Sequence, residues 1–203
     1  MGLPRTILTE YEYLEFERAS PERHQCVDGE VFAMAGESLA HGDISVNIVG
    51  SLTNQLLDSP CRVRIANSRV RSGPLPKSRK HPSGLYSYPD VFVVCDEPEF
   101  LDEHRDVIIN PTVIFEVLSK STESFDRGTK FLRYQRHNPT LTDYVLVSRD
   151  QHLIEHYRRE ADGSWKYQRH DGLKTTIKLP SIGCRLKAAD VYRRVEFKEL
   201  DDD

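Results

Sequence analysis

Two stretches of the sequence decide the fold: YPDVFVVC at residues 88–95 and TVIFEVL at residues 112–118. Each is an almost continuous apolar run, which is typical of a strand that is covered on both faces. Each run also carries one carboxylate, Asp90 in the first and Glu116 in the second. Because an ionised carboxylate in such a strand costs several kcal/mol unless a cation or hydrogen-bond donors compensate it, stability alone seldom explains residues of this kind.

The two carboxylates indicate a metal site if their strands are neighbours in one sheet. Mg²⁺ is typically held by one or two carboxylates together with water and substrate phosphate. The alternative is that each acid lies at a solvated strand end or pairs with an arginine. For Asp90 or Glu116 alone the two interpretations are equally good, but the occurrence of both in apolar strands favours a functional pair.

Helix signals surround these strands. Thr9 followed by Glu12 predicts a capping box at the start of a short helix over residues 10–18. Ser38 is placed to cap a longer helix that reaches Leu57. One face of that helix carries an apolar residue at every fourth position, namely Ile44, Ile48, Leu52 and Leu56. This spacing predicts an amphipathic helix packed on a sheet.

The order of the predicted elements indicates the fold class. Strands are predicted at 61–71, 87–95, 112–118 and 143–148, a helix near 127–137, and a hairpin of strands 152–159 and 164–170 through Asp162-Gly163, with another hairpin turn at Asp28-Gly29. From Ser38 to Ser148 the order is α-β-β-β-α-β. This order predicts an α/β or α+β fold, with a mixed central sheet flanked by helices and extra β-hairpins.

Length and composition limit the class of protein. A chain of 203 residues predicts a single domain, 1–203, with a core at about 38–148 and a C-terminal hairpin region at 149–195. No apolar run reaches the length of a membrane span, and the start lacks the features of a signal peptide. The four cysteines form no Cys-x-x-Cys pair. We therefore expect a cytoplasmic protein without disulfides or a zinc ribbon.

Charge is unevenly distributed along the chain. The net charge of −4 excludes a basic protein that coats nucleic acid. The segment from Cys61 to Lys80 nevertheless contains seven basic residues and no acid: Arg62, Arg64, Arg69, Arg71, Lys77, Arg79 and Lys80. This segment is the natural surface for contact with phosphates. A sheet edge guarded by positive charge is nearly as good an interpretation.

An ordered series of motifs resembles the PD-(D/E)XK nuclease superfamily, and more closely its Uma-two family of predicted restriction endonucleases. The series consists of Thr9 through Leu14, Val27 through Val31, Ser38 through His41, Tyr88 through Val91, Glu116 through Thr122, Asp126 through Tyr134 and Asp143 through Val147. The resemblance covers most of the chain. It implies a restriction-endonuclease-like core in which Asp90 and Glu116 bind Mg²⁺, or alternatively Mn²⁺, for hydrolysis of DNA phosphodiester bonds. The resemblance also implies that the backbone carbonyl of Val117 completes the coordination.

One position departs from the superfamily pattern. The lysine usually found two residues after the glutamate is replaced by Leu118. The resemblance points to Lys130, on the following helix, as the catalytic cation that positions water or offsets charge on the phosphate. Lys120 is the rival, because an extended strand would place 116, 118 and 120 on one side. If neither lysine reaches the site, the protein is a catalytically silent module on the same fold, binding nucleic acid or protein.

Three further residues have candidate roles. His41, near the start of the second helix, is predicted either to meet metal-bound water or a substrate phosphate, or to pack against a strand. Glu30 is interpreted as a hairpin-edge residue, with an additional acid at the site as the alternative. Asp126 is predicted to cap the helix that carries Lys130. DNA is the expected partner, and a homodimer is plausible because nucleases that cut both strands often pair.

Overall fold

The computed structural model describes residues 7–34, 36–74 and 84–197. In these ranges the helices are α1 (Glu10–Ala19), α2 (Leu39–Gln55), α3 (Glu123–Phe125), a π-helix (Asp126–Lys130), α4 (Phe131–His137), a 3₁₀ turn (Pro180–Ile182) and α5 (Ala188–Val191). The strands are β1 (His24–Val27), β2 (Glu30–Ala33), β3 (Arg62–Ile65), β4 (Arg69–Ser72), β5 (Leu85–Ser87), β6 (Val91–Val94), β7 (Val107–Ile108), β8 (Val113–Leu118), β9 (Asp143–Ser148), β10 (Leu153–Arg159), β11 (Trp165–Asp171), β12 (Thr176–Leu179) and β13 (Cys184–Lys187).

Six strands of the described chain form the central sheet, in the order β11-β10-β9-β8-β6-β3. β8 and β9 run parallel and the other neighbours run antiparallel, so the sheet is mixed. α2 packs on one face through Ile44, Ile48 and Leu52. α4 packs on the other face through Phe131 and Tyr134. The predicted α+β architecture, with helices flanking a mixed central sheet, is therefore confirmed.

Two of the predicted strands divide between two sheets. The run predicted at 61–71 forms β3 and β4, and the run predicted at 87–95 contains the end of β5 and all of β6. β4 and β5 belong to a second sheet, whose order in the described ranges is β2-β1-β5-β4-β7. The predicted α-β-β-β-α-β order was therefore too simple. Short turns at 66–68 and 88–90 carry the chain between sheets, and apolar patterning does not report such a change.

The local helix and turn signals form as predicted. The Glu12 carboxylate accepts a hydrogen bond from Thr9 N at 2.8 Å, and Thr9 Oγ1 accepts one from Glu12 N at 3.3 Å, which completes the capping box. The side chain of Ser38 caps α2, which ends two residues before the predicted Leu57. The hairpins through Asp28-Gly29 and Asp162-Gly163 join β1 to β2 and β10 to β11.

The predicted capping role of Asp126 was wrong. α3, the π-helix and α4 follow one another without a break, and Asp126 has helical dihedral angles. Its carboxylate accepts a hydrogen bond from Lys130 Nζ at 3.1 Å instead of binding the backbone at a helix start. A π turn of this kind is rare and occurs frequently at functional sites.

The expectation of four unbonded cysteines was also wrong. Arg62 pairs with Val94 across β3 and β6, so the preceding and following residues, Cys61 and Cys95, are direct cross-strand neighbours, and they form a disulfide. A sequence separation of 34 residues concealed this proximity. Cys26 and Cys184 are free and buried. The cytoplasmic location inferred partly from the cysteines stays a prediction.

The C-terminal region contains more structure than the predicted hairpin. After β10 and β11, the strands β12 and β13 form a second antiparallel pair, and α5 follows. Ile177, Leu179 and Leu186 of this pair join the apolar cluster beneath α2. Within the described residues, none of the helices has both the length and the apolar character required to cross a bilayer. The assignment of residues 1–203 to one domain stays a prediction.

Candidate active site

Asp90 and Glu116 come from directly neighbouring positions of adjacent strands. β6 and β8 pair antiparallel with Val91 opposite Phe115, so the next step of the register places Asp90 opposite Glu116. Asp90 contacts His41 of α2, which packs on one face of the sheet, and Glu116 contacts Lys130, which immediately precedes α4 on the other face. Both side chains are largely enclosed, with 11% of Asp90 and 4% of Glu116 exposed. The structure thus brings the two predicted carboxylates to one end of the central sheet.

Asp90 is held by groups from two different elements. Its Oδ2 accepts a hydrogen bond from the backbone N–H of Val117 at 2.6 Å. Its Oδ1 lies 3.0 Å from Nε2 of His41. Because the N–H and C=O of one strand residue lie on the same edge of the strand, the carbonyl of Val117 also faces the side on which Asp90 lies. This orientation is compatible with the metal-ligand role predicted for that carbonyl.

α2 brings His41 to Asp90. Ser38 Oγ accepts a hydrogen bond from His41 N at 3.3 Å, which fixes His41 in the first turn of the helix. Its side chain is only 10% exposed. Burial alone would lower the pKa of His41, but the carboxylates of Asp90 and Glu37 outweigh that effect and raise it. Of the two predicted roles for His41, the contact with Asp90 favours the one at the site.

Glu37 joins this group, although the sequence interpretation did not include it. Its Oε2 lies 4.0 Å from Nε2 of His41, and one ligand atom each from Glu37, His41 and Asp90 lie within 4.8 Å of one another. Carboxylate oxygens and imidazole nitrogen are ligands that Mn²⁺ accepts, and Mg²⁺ prefers the oxygens. The donor set therefore fits a divalent cation. Glu37 precedes the Ser38 cap of α2, so helical periodicity gives no signal for it in the sequence.

A second charged group surrounds Glu116. Lys130 Nζ lies 2.8 Å from Glu116 Oε1 and 3.1 Å from Asp126 Oδ1, and all three side chains are buried. Burial raises the pKa of Glu116 well above its usual value, with Lys130 acting in the opposite direction. Burial alone would lower the pKa of Lys130, but Asp126 and Glu116 raise it well above its usual value. Glu116, Asp126 and Lys130 thus form one buried set of contacts.

The two candidate lysines differ in position. β8 ends at Leu118, so Lys120 lies beyond the strand in a turn, and its side chain is exposed. Leu118 is buried in the apolar cluster beneath α4. The geometric premise for Lys120, a strand that continues past residue 118, was therefore wrong, and it is Lys130 that contacts Glu116.

The remaining candidates make other contacts. Glu30 begins the edge strand β2 and forms a bridge with Ile7, consistent with a hairpin-edge residue. The basic segment does not form one continuous surface, because Arg69 and Arg71 are buried and pair with Asp106 and Glu10. Three other basic residues of that segment, Lys77, Arg79 and Lys80, lie outside the described residues.

Comparisons with known proteins agree with this architecture. The model of the Uma2 (Uma-two) family, described as "Putative restriction endonuclease", matches residues 9–189. The uncharacterized proteins slr1290 and sll1609 of Synechocystis sp. are 35% and 33% identical to the chain. The first alignment covers 94% of each protein, and the second covers 78% of this chain and 85% of the relative.

A solved structure described as a "putative nuclease belonging to DUF820" from Anabaena variabilis aligns with a TM-score of 0.70 at 16% identity. The alignment covers 91% of this chain and 97% of that chain. This likeness confirms the restriction-endonuclease-like fold. Because the family model spans residues 9–189 and one relative is 35% identical over nearly its whole length, the chain belongs to the Uma2 family.

Proposed function

We propose that this protein is a metal-dependent endonuclease that hydrolyses phosphodiester bonds of DNA. The family to which it belongs is described as one of restriction endonucleases, which favours a nuclease hydrolase in general. The observation that carries the finer proposal is the meeting of two charged groups: Asp90 binds the N–H of Val117 at 2.6 Å, and the preceding residue, Glu116, contacts Lys130 at 2.8 Å. Carboxylates and a cation thus lie together at one end of the sheet.

Asp90, Glu116 and the carbonyl of Val117 would hold the divalent cation, Mg²⁺ or Mn²⁺, with His41 and Glu37 beside Asp90. A bound cation of this kind polarises a phosphoryl oxygen and lowers the pKa of a bound water. The protein contributes orientation. The N–H of Val117 fixes one oxygen of Asp90, and the enclosed position of Glu116 limits its motion. Pre-formed carboxylates of this kind need little reorganisation when a substrate binds.

Lys130 supplies a positive charge that the strand itself lacks. Its ammonium can donate hydrogen bonds to three acceptors, and Glu116 and Asp126 account for two contacts. The remaining N–H is available to orient water or to stabilise charge that develops on a phosphate. Asp126 lies four residues before Lys130 in the same helical segment, and its carboxylate contacts the Lys130 ammonium. Asp126 is therefore a positioning residue.

A catalytically silent binding module on the same fold is the alternative function. The burial of Leu118 favours it, because that position supplies the catalytic lysine elsewhere in the superfamily. In that case Lys130 only neutralises Glu116. The two functions differ in whether the metal-loaded protein cleaves DNA and in whether Lys130 affects anything besides stability.

The test is cleavage of supercoiled and linear DNA by the full chain with Mg²⁺, Mn²⁺ or a chelator. We expect cleavage with either ion and none with the chelator. Lys130→Met should lower the cleavage rate by about 10²-fold or more. Lys120→Met removes the same charge from an exposed turn and should leave the rate within about twofold. Thermal unfolding of each variant establishes that it is folded under the assay conditions.

Absence of cleavage with both ions, across a range of DNA sequences and single-stranded substrates, would contradict the proposal and favour the silent module. Equal rates for folded Lys130→Met and wild type would remove Lys130 from the mechanism. The homodimer stays a prediction, and sedimentation of the same preparations tests it. The choice of DNA rather than RNA as the substrate also stays a prediction.

A further inference from the structure

A cavity of about 310 Å³ lies where the central sheet meets the second sheet. Its walls come from the end of β3, the turn at 66–68, the start of β4, and the segment that leads to β7. We call it the arginine pocket, because it is lined by Arg64, Arg69 and Arg105. Its volume is within the range of small-molecule sites in proteins, roughly 300–1,000 Å³.

The charge of the arginine pocket is positive. Asp106 is the acid among its lining residues, and Arg18, from α1, binds both oxygens of that carboxylate at 2.9 Å. Arg69 binds the same carboxylate. Arg18 also binds Asp102 at 2.9 Å, so two carboxylates offset Arg18 and Arg69, while Arg64 and Arg105 add two more positive charges to the lining. An anion would be favoured in such a site.

Two donors of the pocket lack an acceptor among the described residues. Arg69 is 6% exposed, and its Nη1 is buried without a hydrogen-bond partner. Nε of Arg64 is also buried and has no hydrogen-bond partner among the described residues. A buried charged donor without an acceptor is costly, and native proteins contain few. Both guanidinium groups line the cavity, so an oxyanion bound there would supply the missing acceptors.

Aromatic rings form another part of the wall. Tyr88 and Phe100 line the cavity. The Tyr88 hydroxyl donates a hydrogen bond to Glu17 at 2.6 Å, which fixes its ring. The guanidinium of Arg105 lies 4.7 Å from the ring centre of Phe100. Aromatic faces and guanidinium planes are the groups on which proteins stack nucleic-acid bases.

The arginine pocket lies beside the candidate active site. Tyr88 precedes Asp90 by two residues, and Ile65, at the end of β3, pairs with Val91 of β6. The turn that follows Ile65 therefore begins beside Val91, the residue directly after Asp90. A polynucleotide that crosses this end of the sheet would place one nucleotide in the pocket when a neighbouring phosphodiester lies near Asp90.

We propose that the arginine pocket is a nucleotide-binding subsite, in which Arg64 and Arg69 bind a phosphate group and Tyr88 and Phe100 contact the attached base. The inference deepens the proposed function and rests on it only for the source of the nucleotide, which we take to be the substrate strand. A free mononucleotide carries the same phosphate group as a nucleotide of the substrate strand. The test therefore measures the binding of an oligonucleotide and of a mononucleotide separately.

The experiment measures binding of a fluorescent single-stranded deoxyoligonucleotide to the full chain in the presence of a chelator, so that no cleavage occurs. Arg64→Gln and the exposed Arg105→Gln should each weaken binding about tenfold and reduce the dependence on salt. Arg185→Gln is the matched control, because Arg185 is exposed on β13, outside the basic segment, and is not a lining residue. It should change the affinity less than twofold. Unlabelled deoxyadenosine monophosphate is the competitor in the second arm.

If the mononucleotide competes at millimolar concentration, and if Arg64→Gln abolishes this competition, the subsite is supported. The pocket then binds the phosphate of single nucleotides. Binding of the oligonucleotide alone, with the same dependence on Arg64, supports the substrate strand as the source. Equal effects of Arg185→Gln and Arg64→Gln, or no effect of Arg64→Gln and Arg105→Gln, would overturn the inference. A separate measurement of metal-dependent cleavage tests the proposed nuclease function, so failure of that function can be distinguished from failure of the subsite.

Discussion

Two aspartate–histidine pairs, one at an end of the central sheet and one within it, differ in their surroundings. In one, Asp90 Oδ1 lies 3.0 Å from Nε2 of His41, and in the other, Asp143 Oδ1 lies 2.7 Å from Nε2 of His156. The second pair is fully enclosed, with 0% of the Asp143 side chain and 1% of the His156 side chain exposed. The first pair retains exposure of 11% for Asp90 and 10% for His41.

The neighbours of the two pairs differ in charge as well. Oδ2 of Asp143 accepts hydrogen bonds from the hydroxyls of Thr142 and Ser181, each at 2.7 Å, so both of its oxygens are bonded to uncharged donors or histidine. Asp90, in contrast, lies beside further carboxylates, which raise the pKa of neighbouring groups. Satisfied burial indicates a role in stability, and like charges gathered at a partly open position indicate a role in binding.

The largest expected difference between the pairs is in catalysis. Asp90→Asn keeps the size of the side chain but removes the charge that we propose binds the metal, so we expect the DNA cleavage rate to fall by about 10³-fold, equivalent to about 4 kcal/mol. Asp143→Asn should leave the rate per folded molecule within about twofold, because it touches none of the reacting groups. The measurement is cleavage of labelled DNA in Mg²⁺ at saturating protein.

If a folded Asp90→Asn variant kept wild-type activity, Asp90 would not belong to the proposed metal site. The two pairs would then not differ in their contribution to catalysis. A comparable loss in folded Asp143→Asn would instead show that the enclosed pair also contributes to the reaction.

For stability we expect the opposite order: Asp143→Asn should lower the free energy of unfolding more than Asp90→Asn does. Asp143→Asn replaces a side chain whose two oxygens take part in three hydrogen bonds with an amide that cannot reproduce all of them. We expect the free energy of unfolding to fall by about 2–4 kcal/mol. Asp90→Asn relieves repulsion between carboxylates and should change it by less than about 1 kcal/mol. Urea denaturation followed by circular dichroism measures both, and equal losses would contradict the distinction drawn from exposure.

Local chemistry made much of the fold predictable from the sequence. The Thr9 capping box, the Ser38 cap and the Asp28-Gly29 turn each depend on residues close together in the chain, and each forms as predicted. The apolar character of the two carboxylate-bearing strands predicted that both are covered on two faces. That they are neighbours was a condition of the site prediction, and the pairing of β6 with β8 supplies it. Asp90 and Glu116 were therefore candidates from the sequence alone.

Features that depend on distant residues could not be predicted in the same way. The disulfide joins Cys61 to Cys95 through a register that exists only once β3 and β6 have paired. Glu37 precedes α2 and carries no apolar pattern, so its approach to His41 depends on the direction of the chain before the helix. The π-helix that turns Lys130 toward Glu116 adds a residue to one turn, which helical periodicity does not anticipate.

Metal binding should distinguish the pairs by a smaller but direct effect. Addition of Mn²⁺ at about 100 times its dissociation constant should stabilise the wild-type protein by about 2.7 kcal/mol, which is about 5–10 °C in melting temperature. The same shift is expected for Asp143→Asn and none for Asp90→Asn. Thermal unfolding with and without a chelator measures the shift. If Asp90→Asn were stabilised equally, the ion would bind elsewhere.

The smallest expected effect concerns the histidines. His41→Gln retains a polar side chain but removes the imidazole beside Asp90, so we expect the affinity for Mn²⁺, measured by calorimetry, to fall about tenfold. His156→Gln should leave the affinity unchanged and lower the free energy of unfolding by about 1–3 kcal/mol, because it leaves the enclosed Asp143 with one acceptor oxygen unpaired. Identical Mn²⁺ affinities for both variants and wild type would make His41 a packing residue. The contrast between the pairs would then rest on Asp90 alone.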